Sequence, residues 1–161
     1  MVTIRRLTEA DADALAPSLE DPSIARWWTP LGPLEERARE LRNQGRAFAI
    51  EVDGELAGWI GYEEELEPNF RYGSLDIFLR PEFQGRGHGS AALRLAARRL
   101  IDERGHHRIT IDPAADNERA IRAYRAVGFR DVGVMRRYGR LGDGRWGDHL
   151  LMDLLAEELR A

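Results

Sequence analysis

Hydrophobic and polar positions follow two different periods along this chain. Seven segments have the β-rich or alternating pattern that is typical of strands: VTIRRL (2–7), RAFAIEV (46–52), ELAGWIGYEEEL (55–66), YGSLDIFLR (72–80), HRITID (107–112), FRDVGVMRRYGRL (129–141) and RWGDHLLMDLL (145–155). Four segments have the period near 3.6 of amphipathic helices, at 8–21, 33–45, 90–104 and 117–129. The elements therefore follow the order β-α-α-β-β-β-α-β-α-β-β.

Capping and turn residues support these boundaries. Thr8, followed three residues later by Asp11, forms a capping-box pattern that starts a helix. Asp53-Gly54 is a hairpin dipeptide between two strand segments. The mixed order predicts one domain over residues 1–161, of the α/β (α+β) class, with a mixed, mostly antiparallel sheet of about seven strands and about four flanking helices. Within it, the strand–helix–strand unit at residues 75–112 is predicted to be a parallel crossover.

Composition narrows the functional classes. Apolar residues make up 43% and charged residues 32% of the 161 residues, which is typical of a globular protein. No apolar run is long enough to span a bilayer, and the N-terminus lacks the pattern of a signal peptide, so we expect a cytoplasmic protein with no membrane partner. Cysteine is absent, which excludes disulfides, thiolate metal sites and cysteine nucleophiles. The net charge of −4 argues against a nucleic-acid partner.

A glycine-rich turn, PEFQGRGHGS (81–90), directly precedes the third helix segment. The first N–H groups of a helix have no intrahelical partner, and glycines let an anion approach them closely. The turn lacks the lysine of a Walker loop, and its G-x-G-x-G spacing differs from the Rossmann fingerprint. It therefore predicts a phosphate site of another kind, to which the side chains of Arg86 and His88 would add donors. The alternative is a turn that is glycine-rich only for its tight geometry.

Two motifs in this region resemble those of the GCN5-related N-acetyltransferase (GNAT) superfamily. Gln84 to Gly89 fits the pattern Q-x-x-G-x-G of its acetyl-CoA pyrophosphate loop. About thirty residues later, NERAIRAYRAVGF (117–129) is similar to its N-x-x-A-I-x-x-Y-x-x-x-G-F segment. The resemblance spans the chain and is specific between about residues 73 and 130. It implies the GNAT fold, acetyl-CoA as co-substrate without a metal, and direct acetyl transfer to a primary amine in a ternary complex.

The resemblance also implies which residues hold acetyl-CoA. Main-chain groups of a strand end would pair with the pantetheine arm, the glycine turn would bind the pyrophosphate, and the residue that caps the next helix would contact the arm. The implied residues are Ile77, Phe78, Leu79, Gln84, Gly85, Arg86, Gly87, His88, Gly89, Ser90 and Asn117. Tyr124 matches the tyrosine of the family that protonates the departing thiolate; its alternative is an aromatic on the buried face of an amphipathic helix.

Two aspartates are candidates for the amine side of the reaction. A protonated amine must lose a proton before it attacks, and Asp112, at the end of a strand, is the candidate base. Its alternatives are a water chain as the base and an ordinary turn residue before Pro113. Asp76 lies inside a strand, where aspartate is disfavoured, so we expect it to face a cleft and bind a cation.

The acceptor is the least determined part of this prediction. The acidic run at 63–67, the S-L-D strand and the tryptophan pair at 27–28 resemble aminoglycoside 6'-N-acetyltransferases, which places Glu65, Asp76, Asp112 and Trp28 at the amine. A solvated charge run and core tryptophans are the plain alternatives. Two other functions stay open, namely N-terminal peptide acetylation of the ribosomal-protein type and a non-catalytic acyl-CoA-binding domain. His149 is interpreted as structural, and the C-terminal hairpin offers a surface for a homodimer, an assembly that is common in the family.

Overall fold

A seven-stranded mixed sheet organises the chain. The computed structural model describes residues 1–28 and 32–160. The strands are β1 (Val2–Arg6), β2 (Ala47–Val52), β3 (Glu55–Glu65), β4 (Tyr72–Leu79), β5 (Arg108–Ile111), β6 (Arg130–Arg140) and β7 (Trp146–Leu155). The helices are α1 (Glu9–Leu15), α2 (Pro22–Ala25), α3 (Leu34–Arg42), α4 (His88–Asp102) and α5 (Glu118–Val127). The predicted order and fold class are confirmed, with the addition of the four-residue α2.

Local signals account for most of the element boundaries. Thr8 caps α1 in a capping box with Asp11, as its sequence pattern predicts. The unpredicted α2 begins with Pro22 at its first position, and the Asp21 side chain accepts a hydrogen bond from the N–H of Ser23. Helix α4 begins at His88, two residues earlier than its periodicity predicted, because the left-handed Gly87 is its N-cap.

The strands are ordered β1-β2-β3-β4-β5-β7-β6 in the sheet. Every neighbouring pair is antiparallel except β4 and β5, which are parallel as the strand–helix–strand unit predicted. Side chains alternate across the sheet, so Trp59 and Ile60 of β3 face opposite sides. Ile60 belongs to the apolar cluster under α4 and α5, and Trp59 to the cluster under α1 and α3. The sheet is therefore covered on both faces.

The sheet opens between β4 and β5. These strands pair only at Gly73 with Ile109 and at Ser74 with Thr110. Beyond Ser74, β4 stays paired with β3 as far as Leu79, while β5 continues beside β7 alone. The two strands therefore diverge into a V-shaped gap that leaves main-chain groups of β4 without a strand partner on one side. The divergence therefore places the candidate functional residues on both sides of this gap.

Among residues 1–28 and 32–160, no helix combines the length and the apolar character that are needed to cross a membrane. The longest, α4, has fifteen residues and carries three arginines. Its buried positions are alanines and leucines, and the arginines lie on its other faces. This is the pattern of a helix that packs against a sheet.

Candidate active site

A cavity of about 340 Å³ lies in the gap between β4 and the N-terminal ends of α4 and α5. We call it the glycine-turn cavity. It is lined by the end of β4, the glycine turn, the two helix ends and the segment around α2, namely Ser23, Ile24, Trp27, Trp28, Ile77, Phe78, Leu79, Gln84, Gly85, Gly87, Gly89, Ser90, Leu93, Asn117, Arg119, Ala120, Ala123 and Tyr124. One cavity therefore joins the two motifs that are thirty residues apart in the sequence.

The glycine turn supplies an anion site at one end of this cavity. Gly85 and Gly87 adopt φ values of +76° and +81°, which side chains rarely tolerate. A Cβ atom built on Gly87 has no protein atom within 4 Å, so the space in front of the helix is open. The first intrahelical hydrogen bond runs from Ala91 N–H to Gly87 C=O, which leaves the N–H groups of residues 88–90 free of helix partners. With the helix dipole, this cradle fits the pyrophosphate of acetyl-CoA.

Gln84 and Arg119 hold the turn in place. The Gln84 side-chain amide donates to the Leu79 carbonyl (2.9 Å) and to the Ser23 hydroxyl (3.2 Å), which ties the turn to β4 and α2. The Arg119 guanidinium donates to the Gln84 side-chain oxygen at 3.4 Å. Arg119 therefore brings a positive charge to the anion site from the first turn of α5.

The start of α5 forms the other wall. Asn117 caps the helix, because its side-chain oxygen accepts the N–H of Ala120 at 3.3 Å. Tyr124 reaches the cavity about two turns later, with its ring 6.3 Å from that of Phe129. Burial raises the pKa of the Tyr124 hydroxyl, and the negative charges of Asp76 and Asp112 raise it further. The phenol is therefore a proton donor, not an acceptor, at neutral pH.

A second cavity, of about 280 Å³, lies on the other side of the gap. We call it the acidic cavity. Its lining combines the end of α3 with β3, β4 and the residue that follows β5, namely Glu40, Asn43, Trp59, Gly61, Tyr62, Glu63, Ser74, Leu75, Asp76 and Asp112. Four of these ten residues carry carboxylates. The cavity is therefore suited to a cationic ligand.

The negative charges of Asp76 and Asp112, in the acidic cavity, act on the hydroxyl of Tyr124 in the glycine-turn cavity. The Asp76 side chain is exposed to the acidic cavity, and desolvation by the walls of the cleft, together with the charge of Asp112, raises its pKa to about 7. The Ile77 N–H, which donates to its carboxylate at 2.9 Å, opposes the rise. Burial also raises the pKa of Asp112, while the charge of His149 and the hydroxyl of Tyr138 lower it. Both carboxylates change their ionisation closer to neutral pH than ordinary aspartates.

Asp76→Asn is expected to stabilise the protein above neutral pH. The pKa of Asp76 is higher in the folded than in the unfolded chain, so between about pH 4 and pH 7 the folded state keeps a proton that the unfolded state has lost. Stability from this group therefore falls as the pH rises through that range. In thermal melts we expect the variant to melt above the wild type at about pH 8, with the difference shrinking towards about pH 4.

The exposed Asp13 on α1 offers a matched control for that measurement. Asp13→Asn removes the same charge outside the cavities and is expected to leave the pH dependence of the melting temperature unchanged. Asparagine keeps the oxygen that accepts the Ile77 N–H, so the backbone contact is preserved in Asp76→Asn. Parallel melting profiles for Asp76→Asn and the wild type would contradict the raised pKa.

The structure brings most of the residues expected from the sequence to the two cavities, with four notable differences. Arg86 is exposed, and neither Arg86 nor His88 is among the residues that line the glycine-turn cavity. Together with the N-terminal amino group, the charge of His88 instead lowers the pKa of Asp53, at the β2–β3 turn. Trp28 lines the glycine-turn cavity instead of the acidic one and packs edge-on against Trp59 at 5.5 Å. Glu65 lies outside both linings, where its carboxylate accepts the N–H of Glu67.

Two charged lining residues, Glu40 and Arg119, were not anticipated from the sequence, and Glu63 was expected only as part of the acidic run at 63–67. Glu63 lines the acidic cavity through the alternation of β3, two residues before Glu65 on the same face. Glu40 arrives from the exposed face of α3, and nothing near it in the sequence signals this contact. The position of Arg119 could have been found from the sequence. It lies two residues after the helix-capping Asn117, and therefore in the first turn of a helix whose N-terminus faces the anion site.

Comparisons with known proteins match this geometry. The family model of the acetyltransferase (GNAT) domain matches residues 1–130. The N-alpha-acetyltransferase RimI of Mycobacterium tuberculosis is 34% identical over 148 residues, covering 87% of this chain and 85% of that protein. An aminoglycoside N(6')-acetyltransferase type 1 of Klebsiella pneumoniae is 29% identical, covering 83% and 76%. The solved structure of Mycobacterium smegmatis RimJ with CoA-disulfide superposes with a TM-score of 0.84 at 28% identity, covering 99% of this chain and 84% of that one.

Proposed function

Because this chain belongs to the GNAT acetyltransferase family, we propose that it acetylates a primary amine of a small polycation, with aminoglycosides that carry a 6'-amine as the leading acceptor class. The chain is an acetyl-CoA-dependent N-acetyltransferase. The observation that supports this acceptor is the acidic cavity, where the carboxylates of Glu40, Glu63, Asp76 and Asp112 converge beside the glycine-turn cavity. Of these, Glu63 also pairs with Arg46 at 2.9 Å.

The glycine-turn cavity provides the acetyl side of the reaction. Acetyl-CoA, when bound, supplies the thioester whose carbonyl carbon the amine attacks. The N–H groups of residues 88–90 and the Arg119 guanidinium hold phosphate oxygens at the mouth of α4. The main chain of residues 77–79, which has no strand partner in the gap, pairs with the pantetheine arm. An N–H group of this stretch polarises the thioester carbonyl.

The acidic cavity binds and deprotonates the amine. An ionised carboxylate attracts the ammonium group, and a carboxylate with a pKa near neutrality can also accept its proton. Asp76, with a pKa of about 7, binds the cation, and Asp112 receives the proton directly or through water. The free amine then forms the new carbon–nitrogen bond.

Tyr124 completes the transfer. As the carbon–sulfur bond breaks, the departing thiolate takes the proton of the Tyr124 hydroxyl, which is held in its protonated form by burial and by the nearby carboxylates. The tyrosinate regains a proton from the attacking nitrogen, which loses its second proton as the amide forms. The first proton, taken up by Asp112, passes to solvent. The net products are the acetylated amine, the free thiol of CoA and one proton, and the protein returns to its starting protonation state.

A panel of acceptors tests this proposal. With saturating acetyl-CoA, we expect kcat/KM for kanamycin or spermidine to exceed that for an N-terminal peptide by about tenfold or more, because the carboxylates steer polycations into the cavity. Added salt should lower the polycation rate steeply and the peptide rate only slightly. Thiol release is the measurement. Turnover of the peptide with no turnover of any polycation would contradict the proposed acceptor, though not the acetyltransferase activity.

N-terminal peptide acetylation is the second candidate, and one finding favours it. The 34% identity to an N-alpha-acetyltransferase is higher than the 29% identity to the aminoglycoside enzyme. A single N-terminal amine needs only one or two carboxylates, however, which leaves Glu40 without a role and Glu63 with only its pair to Arg46. The number of acidic groups in the cavity is therefore the reason to place the polycation first.

A further inference from the structure

Strand β6 carries a large irregularity beside the acidic cavity. Met135 pairs with His149 and Gly139 with Gly147, so that three residues of β6, 136–138, lie opposite the single residue Asp148 of β7. Such an excess of residues bends the strand and re-aims its side chains. We call residues 136–138 the β6 bulge. Strand β7 separates it from the end of β5.

The backbone of the bulge is fixed by specific contacts. Arg137 adopts a φ of +48°, an uncommon conformation for a residue other than glycine. Its N–H donates to the Asp148 carboxylate at 2.8 Å, which satisfies the amide that the ladder loses. On the other edge of β7, the Asp148 carbonyl accepts the N–H of Ala115, also at 2.8 Å. Strain of this kind persists only where its surroundings enforce it, and it is frequent near functional groups.

The bulge brings Tyr138 onto Asp112 and His149. The Tyr138 ring meets the His149 ring edge-on at 5.3 Å, and its hydroxyl is near enough to Asp112 for the charge of that carboxylate to raise the pKa of Tyr138. The His149 Nδ1 lies 2.8 Å from the main-chain carbonyl of Asp112. A carbonyl only accepts, so Nδ1 carries the proton. His149 therefore holds the main chain of Asp112, and Tyr138 packs against that histidine beside the same aspartate.

Close packing fixes the histidine in turn. Its other ring nitrogen, Nε2, is buried without a hydrogen-bond partner among the described residues. A Cβ atom on Gly139 would approach that nitrogen to 3.0 Å, so the ring fills the space beside the glycine. His149 also bridges to Ala114, which continues the pairing of β7 beyond the end of β5. The ring has little room to turn away from the Asp112 carbonyl.

We propose that Tyr138 is a positioning residue for acetyl transfer: its hydroxyl donates to the Asp112 carboxylate and, with His149 holding the main chain, aims that carboxylate into the acidic cavity. The role of Asp112 at the amine rests on the proposed function, whereas the contact itself does not. A hydroxyl donor stabilises the ionised form of a carboxylate. Tyr138 therefore keeps Asp112 ionised at a lower pH than burial alone would allow.

Other charged and titratable groups act on Asp112 as well. The groups that face Asp112 or share its cavity come from α3, β3, β4, α5 and β7, and are Glu40, Glu63, Asp76, Tyr124 and His149. Tyr72 of β4 contributes to the raised pKa of the Tyr138 hydroxyl. The neighbouring carboxylates disfavour the ionised Asp112, so the hydroxyl of Tyr138 opposes them.

Tyr138→Phe tests the proposal because it keeps the ring against His149 and removes only the hydroxyl. We expect kcat/KM for the amine at about pH 6 to fall about tenfold, with the acidic limb of its pH profile moved to higher pH. KM for acetyl-CoA should stay unchanged. Tyr72→Phe is the matched control, since Tyr72 lies near Tyr138 but its ring packs under Arg108, and we expect an unchanged profile.

A second measurement does not depend on turnover. The carboxyl carbon of Asp112, assigned by comparison with Asp112→Asn, is titrated by NMR in the wild type, in Tyr138→Phe and in Tyr72→Phe. We expect only Tyr138→Phe to raise the pKa of Asp112. An unchanged Asp112 titration in Tyr138→Phe overturns the inference. A wild type that acetylates none of the amines overturns the proposed function instead, and the titration still decides on Tyr138.

Discussion

Replacement of Tyr124 by phenylalanine is expected to lower kcat about 100-fold and to leave KM for acetyl-CoA nearly unchanged. The thiolate departs unprotonated when the hydroxyl is missing, whereas the ring of the variant still fills the cavity wall beside Phe129. A loss confined to kcat is characteristic of an interaction that is made in the transition state and not in the ground state. Steady-state thiol release with both substrates varied separates the two constants.

The same Tyr72→Phe variant is the control for this experiment. Tyr72 belongs to β4, but its ring lies outside both cavities, with the Arg108 guanidinium 5.6 Å from its centroid. We expect Tyr72→Phe to retain the wild-type kcat. If Tyr124→Phe also retained it, Tyr124 would have no part in the proton transfer, and a water molecule would have to protonate the thiolate.

Gly87→Val is expected to weaken CoA binding by at least about 100-fold. Gly87 is the N-cap of α4, and the space in front of its missing side chain is open to the glycine-turn cavity. A branched side chain there would occupy the position of the phosphate and hold it away from the free N–H groups of α4. Titration calorimetry with CoA measures the loss without any need for an acceptor.

Gly54 provides an unusually close control for this glycine. Its φ of +85° is nearly that of Gly87, and a Cβ atom built on it also meets nothing within 4 Å. Gly54→Val therefore carries a similar backbone penalty, of about 1–3 kcal/mol, at the β2–β3 turn. We expect both variants to lose stability and only Gly87→Val to lose CoA. Normal CoA affinity in a folded Gly87→Val protein would contradict the location of the phosphate site.

The acetyl-CoA side was accessible from the sequence because its determinants are local. Left-handed glycines at a helix start, an asparagine cap and a tyrosine two turns later each depend on neighbours along the chain. The spacing between the motifs then follows from a strand–helix–strand unit, whose parallel pairing the structure confirms. Local propensity and element order predicted the fold class and an anion site at the glycine turn, whereas the resemblance to the GNAT superfamily assigned that site to acetyl-CoA and added Asn117 and Tyr124 to it.

The acidic side was less accessible because it depends on contacts between distant segments. Within the run at 63–67, alternation sends Glu64 to the opposite face, where it bonds Arg104 (2.5 Å) and the buried His106 (2.6 Å). Burial opposes the ionisation of Glu64, but these hydrogen bonds outweigh it and lower its pKa. One of three adjacent glutamates is thus structural, and the strand register, which the sequence does not define, decides which one lines the cavity.

Two further features required the structure. Trp28 packs between Trp59 and Phe78, so it joins the core under α1 and α3 as well as a cavity wall. The β6 bulge has no glycine or proline at Arg137 to signal it, and an expected regular hairpin would have left Tyr138 and His149 without a shared contact. Bulges are tertiary features of paired strands, and a single-strand pattern does not reveal them.

Mass spectrometry of the acceptor after incubation with acetyl-CoA is the most direct test of the account. For the wild type with kanamycin, we expect the amine to gain one acetyl group, with one equivalent of free CoA thiol released. The double variant Asp76→Asn/Asp112→Asn should still bind CoA, because the glycine-turn cavity is intact, but should yield no acetylated amine. Equal acetylation by the double variant and the wild type would contradict the claim that the acidic cavity receives the amine.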